Sequence, residues 1–224
     1  MSIKVIACEV MKEELLSIKP KAAIDFEFIS MGLHLYPNKL QKEIQSILDK
    51  SLNYSRIILA FGLCGGSIKN VKVKNSILTI PKVHDCIPIL LGSKEKYYKL
   101  KDEEKGTFYL SGGWMLTEKS ILSEHKRICE RFGERKALKV IDKMYNNYKR
   151  VLFINTSRDC DLQIKEQSKE IARLLKVNYE TIDGTNNFLE KIVLGPWDQG
   201  DFINIPPFGT VTEEDFGIGE RISD

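Results

Sequence analysis

The sequence predicts an α/β protein: mostly parallel sheet with helices on both faces, organised as two Rossmann-like halves. Three observations carry this. Short apolar runs alternate with longer stretches of helical period, which is the rhythm of βα units. Several of those runs are apolar throughout, as strands covered on both faces are. They also end on glycine, cysteine or histidine, at the carboxyl ends of strands where open α/β sheets gather their ligands. A chain of 224 residues can form one large α/β unit or two compact halves.

Taken in order, residues 3–7 read as a strand that ends at Cys8. Residues 10–18 have helical spacing and stop at Pro20. A second strand over 26–29 leads into Met31-Gly32-Leu33-His34. Asn38 is then the expected cap of a helix with Leu40, Ile44, Ile47 and Leu48 on one face. Residues 55–60 form a buried strand that delivers Phe61-Gly62-Leu63-Cys64-Gly65-Gly66, and residues 77–85 form one that delivers His84-Asp85-Cys86. Residues 107–110 make a fifth strand closing on Ser111-Gly112-Gly113-Trp114. Residues 117–148 are helical in pattern, broken near Gly133, and long enough to cross between halves. Strand 151–155, a helix capped at Asp161 and running through Leu175, strand 179–183, a helix opened by Thr185 or Asn186, and strand 202–205 complete the pattern. The expected organisation is a first half over 1–115, a second over 116–209 whose final strand returns to the first, and a mobile polar tail over 210–224.

Composition narrows the classes of function. Hydrophobic residues are 42% and charged residues 29%, which suits a folded globular chain. The net charge is only +3, and no basic stripe with interleaved aromatics stands out, so nucleic acid is not an expected partner. No apolar run reaches the ~20 residues of a membrane helix, and the first residues lack the pattern of a secretory signal. The expectation is a cytoplasmic protein without a membrane partner. In that setting five cysteines are free thiols or metal ligands rather than bridges.

Three of those cysteines close separate predicted strands. If the strands lie parallel in one sheet, Cys8, Cys64 and Cys86 converge on one point. His84 and Cys86 are two apart and share a face if the strand persists, so the pair can grip one ion. Thiolate and imidazole are the ligands of zinc, and the sulfur set also suits a [4Fe-4S] cluster. The expected metal ligands are therefore Cys8, Cys64, Cys86 and His84, with His34 as the alternative nitrogen. Glu9 and His34 are the candidate catalytic groups. Gly62, Gly65 and Gly66 would let backbone approach a bound group, and Trp114 would wall the pocket. Cys129, among charged helix neighbours, and Cys160 stay outside the set, and His125 reads as a solvated helix residue. Dinucleotide-loop, Walker and H-E-x-x-H motifs are absent. Gly62, Cys64 and Gly66 do match the spacing of a nucleophile elbow, which keeps a metal-free thiol hydrolase or transferase as an alternative, with His84 or His34 as base.

Ala7-Cys8-Glu9, Met31-Gly32-Leu33-His34, Gly62-Leu63-Cys64-Gly65, His84-Asp85-Cys86, Gly92-Ser93, Gly106-Thr107-Phe108-Tyr109-Leu110 and Trp197-Asp198 with Asp201-Phe202 together resemble the proteins catalogued as domain of unknown function 1638. The resemblance spans residues 3–209, and it differs from the family pattern at Gly66, where a polar residue is common. It implies an anaerobic setting linked to corrinoid-dependent methyl transfer, with a small-molecule substrate and a corrinoid protein or methyltransferase as partner. On that basis the expected function is a zinc or [4Fe-4S] protein that activates a thiol or methyl group. The alternative is a non-catalytic accessory protein that holds a metal or a corrinoid for a methyltransferase.

Overall fold

Runs such as Ile57-Ile58-Leu59-Ala60 have no polar face to present to water, so their strands must be covered on both sides. Both sheets of the protein are built on such strands. The computed structural model describes residues 2–20, 23–117, 120–156 and 162–217. In chain order the elements are β1 (Ile3–Cys8), α1 (Lys12–Ser17), β2 (Ile24–Ile29), α2 (Pro37–Lys50), β3 (Arg56–Ala60), β4 (Ile77–Pro81), α3 (Ile87–Leu91) and α4 (Lys94–Glu103). They continue with β5 (Thr107–Ser111), α5 (Gly112–Met115), α6 (Ile121–Phe132), α7 (Glu134–Tyr145), β6 (Arg150–Asn155), α8 (Leu162–Leu175), β7 (Asn178–Asp183), α9 (Asn187–Leu194) and β8 (Phe202–Ile205).

The chain divides into one unit of Met1–Ile89 with Asn187–Asp224 and another of Leu90–Asn186. The first holds a five-stranded sheet in the order β2-β1-β3-β4-β8. Its first four strands are parallel, with Val5 beside Phe26 and Ile58 and with Ile57 beside Leu78; β8 returns antiparallel, with Ile203 beside Ile80. Val5, Ile6, Ile58, Leu59, Leu78 and Ile80 are sealed from solvent, which makes this sheet the centre of the unit's core. α2 turns Leu40, Ile44, Ile47 and Leu48 inward as its period predicts. It starts one residue before the expected cap Asn38, because Pro37 at the first helical position has its φ preset and no N–H to satisfy.

The second unit has a parallel sheet in the order β5-β6-β7, with Leu110 beside Phe153 and Phe153 beside Thr181. Its core joins Leu110, Val151, Phe153, Ile141 and Ile171. Arg150 is a buried cation there with every direction answered. Its Nε donates to Thr107 Oγ1 at 2.8 Å, Nη1 to Glu180 Oε2 at 2.8 Å and Nη2 to the Leu100 carbonyl at 3.0 Å.

Four expectations change. The boundary lies at residues 89/90 and 186/187 rather than at 115, because β5 pairs with β6 and so carries Gly112-Gly113-Trp114 into the second unit. The span 117–148 is not one crossing helix: Gly133, with φ of 80°, separates α6 from α7, and Ser120 caps α6 by accepting from Ser123 N–H at 3.2 Å. The strand expected over 77–85 stops at Pro81. The tail is not loose at its start: Thr210 bridges to Lys72, and Val211 and Phe216 are buried. The proposed cap Asp161 and the end of the tail lie outside the described residues. No described helix is long and apolar enough to cross a membrane.

Candidate functional site

Four neighbouring parallel strands in the first unit release their chains at one edge of the sheet. β1 ends in Cys8, level with Ile29 of β2, and Ala7 stands level with Ala60 of β3. Beyond Ala60 the chain turns through Phe61 and Gly62 to Cys64, and beyond Pro81 it turns through His84 and Asp85 to Cys86. Two backbone hydrogen bonds fasten these loops together: Leu63 N–H donates to the Val83 carbonyl at 3.1 Å and Cys64 N–H to the His84 carbonyl at 3.0 Å. Only glycine permits this approach, since a Cβ at Gly62 would stand 2.5 Å from the Asp85 nitrogen.

Cys64 itself has φ of 47°, followed by Gly65 at 67° and Gly66 at 84°. A left-handed backbone is ordinary for the glycines and costs a residue with a Cβ on the order of 1–3 kcal/mol, a strain that concentrates at functional sites. A Cβ added at Gly65 or Gly66 would meet nothing within 4 Å, so these two glycines serve the turn and leave room above it. Asp85 accepts from Ile87 N–H at 2.8 Å and so starts α3 immediately after Cys86.

The three sulfurs share one electrostatic environment. Burial pushes the Cys8 thiol up to about 12, opposed by a Val10 N–H that donates to its sulfur and reinforced by the Glu9 charge. Burial also pushes Cys64 up to about 12, with the charges of Asp85 and Cys8 adding to it. Cys86 is raised well above its ordinary value, first by burial and then by Cys8, Asp85 and Cys64. Cys8 thus disfavours ionisation of both Cys64 and Cys86, and Cys64 that of Cys86. No group of three or more His, Cys, Asp or Glu among the described residues is placed to hold a metal ion.

The two candidate histidines differ sharply. His84 is exposed; the strand that was to carry it alongside Cys86 has ended at Pro81, so the shared-face argument for that pair fails. Its backbone carbonyl, rather than its ring, serves the site. His34 is half-buried, with its ring stacked on Phe61 at 5.8 Å and 21°. Its Nε2 is fully buried and has no hydrogen-bond partner. Burial lowers the His34 pKa, with the Glu9 charge partly opposing it, which favours the neutral ring. Glu9 is tied down: its Oε1 accepts from Met31 N–H at 2.7 Å and from the Ser30 hydroxyl at 3.0 Å, so it holds the turn Met31–Leu35 that presents His34.

Trp114 belongs to the second unit, where it packs edge-on against Phe108 at 6.4 Å; its Nε1 is buried without a partner. Cys129 and His125 were set aside in the sequence, yet they sit side by side on α6 with sulfur and Nε2 3.5 Å apart. Their spacing of four on a helix was the available signal. Cys160 lies outside the described residues.

Residues 28–193 match the profile of a family described as protein of unknown function (DUF1638). No curated protein and no solved structure shows significant similarity to the chain.

Proposed function

For this chain, which belongs to the DUF1638 family, we propose a metal-thiolate function: Cys8, Cys64 and Cys86 hold zinc or a [4Fe-4S] cluster at the carboxyl edge of the first sheet. The observation that carries the reading is the fastening of the Cys64 loop to the loop of Cys86, where Cys64 N–H donates to the carbonyl of His84 at 3.0 Å, two residues before Cys86, with the Cys8 and Cys64 charges both acting on Cys86. Thiols held against ionisation become thiolates together around a cation, and thiolates are the ligands that zinc and iron–sulfur clusters take. The left-handed Cys64 turn and the open space over Gly65 and Gly66 support a site that also admits a small molecule.

A metal held there acts as a Lewis acid on a small thiol or methyl group. Corrinoid-linked methyl transfer, with a corrinoid protein or methyltransferase as partner, is the context that the family resemblance supports. The accessory-protein reading uses the same centre and differs only in lacking turnover. The metal-free hydrolase reading fares worse. A nucleophilic cysteine needs its pKa lowered, whereas burial raises that of Cys64.

The test is elemental analysis of protein purified without oxygen, with Cys64→Ser and Cys86→Ser beside it. One zinc, or iron with labile sulfide, lost in both variants is the expected result. Protein that neither retains nor takes up metal, and whose activity vanishes on alkylation of Cys64 alone, would replace this reading with the hydrolase.

A further inference from the structure

We infer that Arg56 binds a small-molecule carboxylate through the Nε–Nη2 edge of its guanidinium. The inference is independent of the three-cysteine reading, because Arg56 is the first residue of β3 and the cysteine loops leave from the other ends of the strands.

The register of β3, β4 and β8 puts three polar side chains on one face of the sheet. Arg56 and Ile58 share a side, Ile58 stands level with Thr79, and Thr79 stands level with Asn204. Arg56 Nη1 donates to Thr79 Oγ1 and, at 2.9 Å, to Asn204 Oδ1. The Thr79 hydroxyl donates to the same Asn204 oxygen at 2.8 Å, and Asn204 Nδ2 donates to the Trp197 carbonyl at 3.1 Å. Trp197 lies over the cation, with the guanidinium carbon 4.8 Å from the ring centroid, and is itself held by its Nε1 bond to the Ile192 carbonyl at 3.1 Å. Asp198 shapes the turn beyond it by accepting from Gly200 and Asp201 N–H at 3.0 and 3.1 Å. The guanidinium is therefore fixed at Nη1 and across one face.

Its remaining edge is unused. Nε is buried without a partner, and Nη2, which shares that edge, makes no hydrogen bond among the described residues. No acid answers the charge: burial alone lowers the Arg56 pKa, and Asp201 is paired with Lys191 at 2.5 Å. Arg150 shows the usual arrangement, with Glu180 on Nη1 and a partner on each of its other nitrogens. Arg56 is only half-buried, so a solute reaches it from outside. Two coplanar N–H groups carrying one charge suit a planar monoanion, and a carboxylate accepts from both at once.

The test is proton–nitrogen NMR of the arginine Nε–H groups in the full chain, assigned through bonds, during titration with sodium acetate against sodium chloride at constant ionic strength. The Arg56 signal should move and saturate while that of Arg150 stays still. Emission of Trp197, isolated by Trp114→Phe, should follow the same curve. Arg56→Lys keeps the charge but loses the fork, and should weaken that response at least roughly tenfold. The wild-type titration decides the matter whether or not Arg56→Lys folds. An Arg56 signal that does not saturate, or that moves in step with the other arginines, overturns the site, as does an undiminished acetate response in Arg56→Lys. Inorganic phosphate binding about tenfold or more tightly than acetate overturns the assignment to a carboxylate.

Discussion

The two sheets solve one topological problem with opposite chemistry at their carboxyl ends. In the second unit, β5, β6 and β7 end in Ser111, Asn155 and Asp183, which make hydrogen bonds within that unit, although Asn155 Oδ1 stays buried without a partner. Ser111 Oγ accepts from Trp114 N–H at 3.3 Å, Asn155 Nδ2 donates to Asp183 Oδ1 at 3.0 Å, and Gly184 N–H donates to the Asn155 carbonyl at 2.9 Å. In the first unit, the strand ends lead to Cys8, Cys64 and Cys86, the last raised by the other two, and to a histidine nitrogen with no partner. Parallel strands bring residues together at this edge in either case. Which side chains arrive there decides whether the edge carries amide and carboxylate or thiol and imidazole.

The comparison breaks most visibly through metal content. Cys86→Ser should reduce metal affinity by more than about 100-fold, beyond what loss of an outer partner costs, whereas Asn155→Ala in the second unit should leave it unchanged. Competition with a chromogenic chelator measures both.

Metal-free protein should next lose stability as pH rises above 9. The thiols of Cys8 and Cys64 are raised from 9.0 to about 12 in the folded state, so their contribution is complete below 9 and disappears between 9 and 12, as the unfolded chain ionises first. Each thiol contributes a slope of about 1.4 kcal/mol per pH unit in that window. Urea midpoints of wild type and Cys64→Ser across the range should converge as pH climbs; parallel curves would mean that Cys64 is not buried as described. His34 acts at the other end. Its lowered pKa supplies stability above its ordinary 6.5 that is lost as pH falls through the folded value, and His34→Phe should flatten that limb.

Two substitutions separate packing from chemistry. Gly62→Ala forces a Cβ onto the Asp85 backbone and should cost about 1–3 kcal/mol while also weakening metal binding, because it parts the loops of Cys64 and Cys86. Arg150→Met leaves Thr107 and the Leu100 carbonyl without their donor and should cost a similar 1–3 kcal/mol with metal binding intact. Equal metal loss in both would show that the effect is general destabilisation. At the smallest scale, Lys169→Ala removes an exposed pair with Glu166 and should leave the urea midpoint essentially unchanged, a baseline for the rest.

Much of this was legible in the chain. The βα rhythm, the inward face of α2 and the break at Gly133 follow from period and punctuation. So does the placement of Cys8 at the end of β1, with Cys64 and Cys86 in the loops that follow β3 and β4. The shared face of His84 and Cys86 requires a strand through Asp85, and the local signal against it is Pro81, which has no N–H to give a ladder and is the last paired residue. Val211 and Phe216 were lost in a polar tail because two apolar residues without periodicity do not announce what they pack against.

By itself the sequence determined the elements and the residue types at their ends, because backbone preference and amphipathic period act over a few neighbours. Tertiary structure decided what distant residues do to one another. It placed β1 between β2 and β3, gave β5 to the second sheet and carried His34 across to Phe61 while leaving His84 in solvent. Those outcomes depend on pairings and burial between segments far apart in the chain, where no local signal reaches.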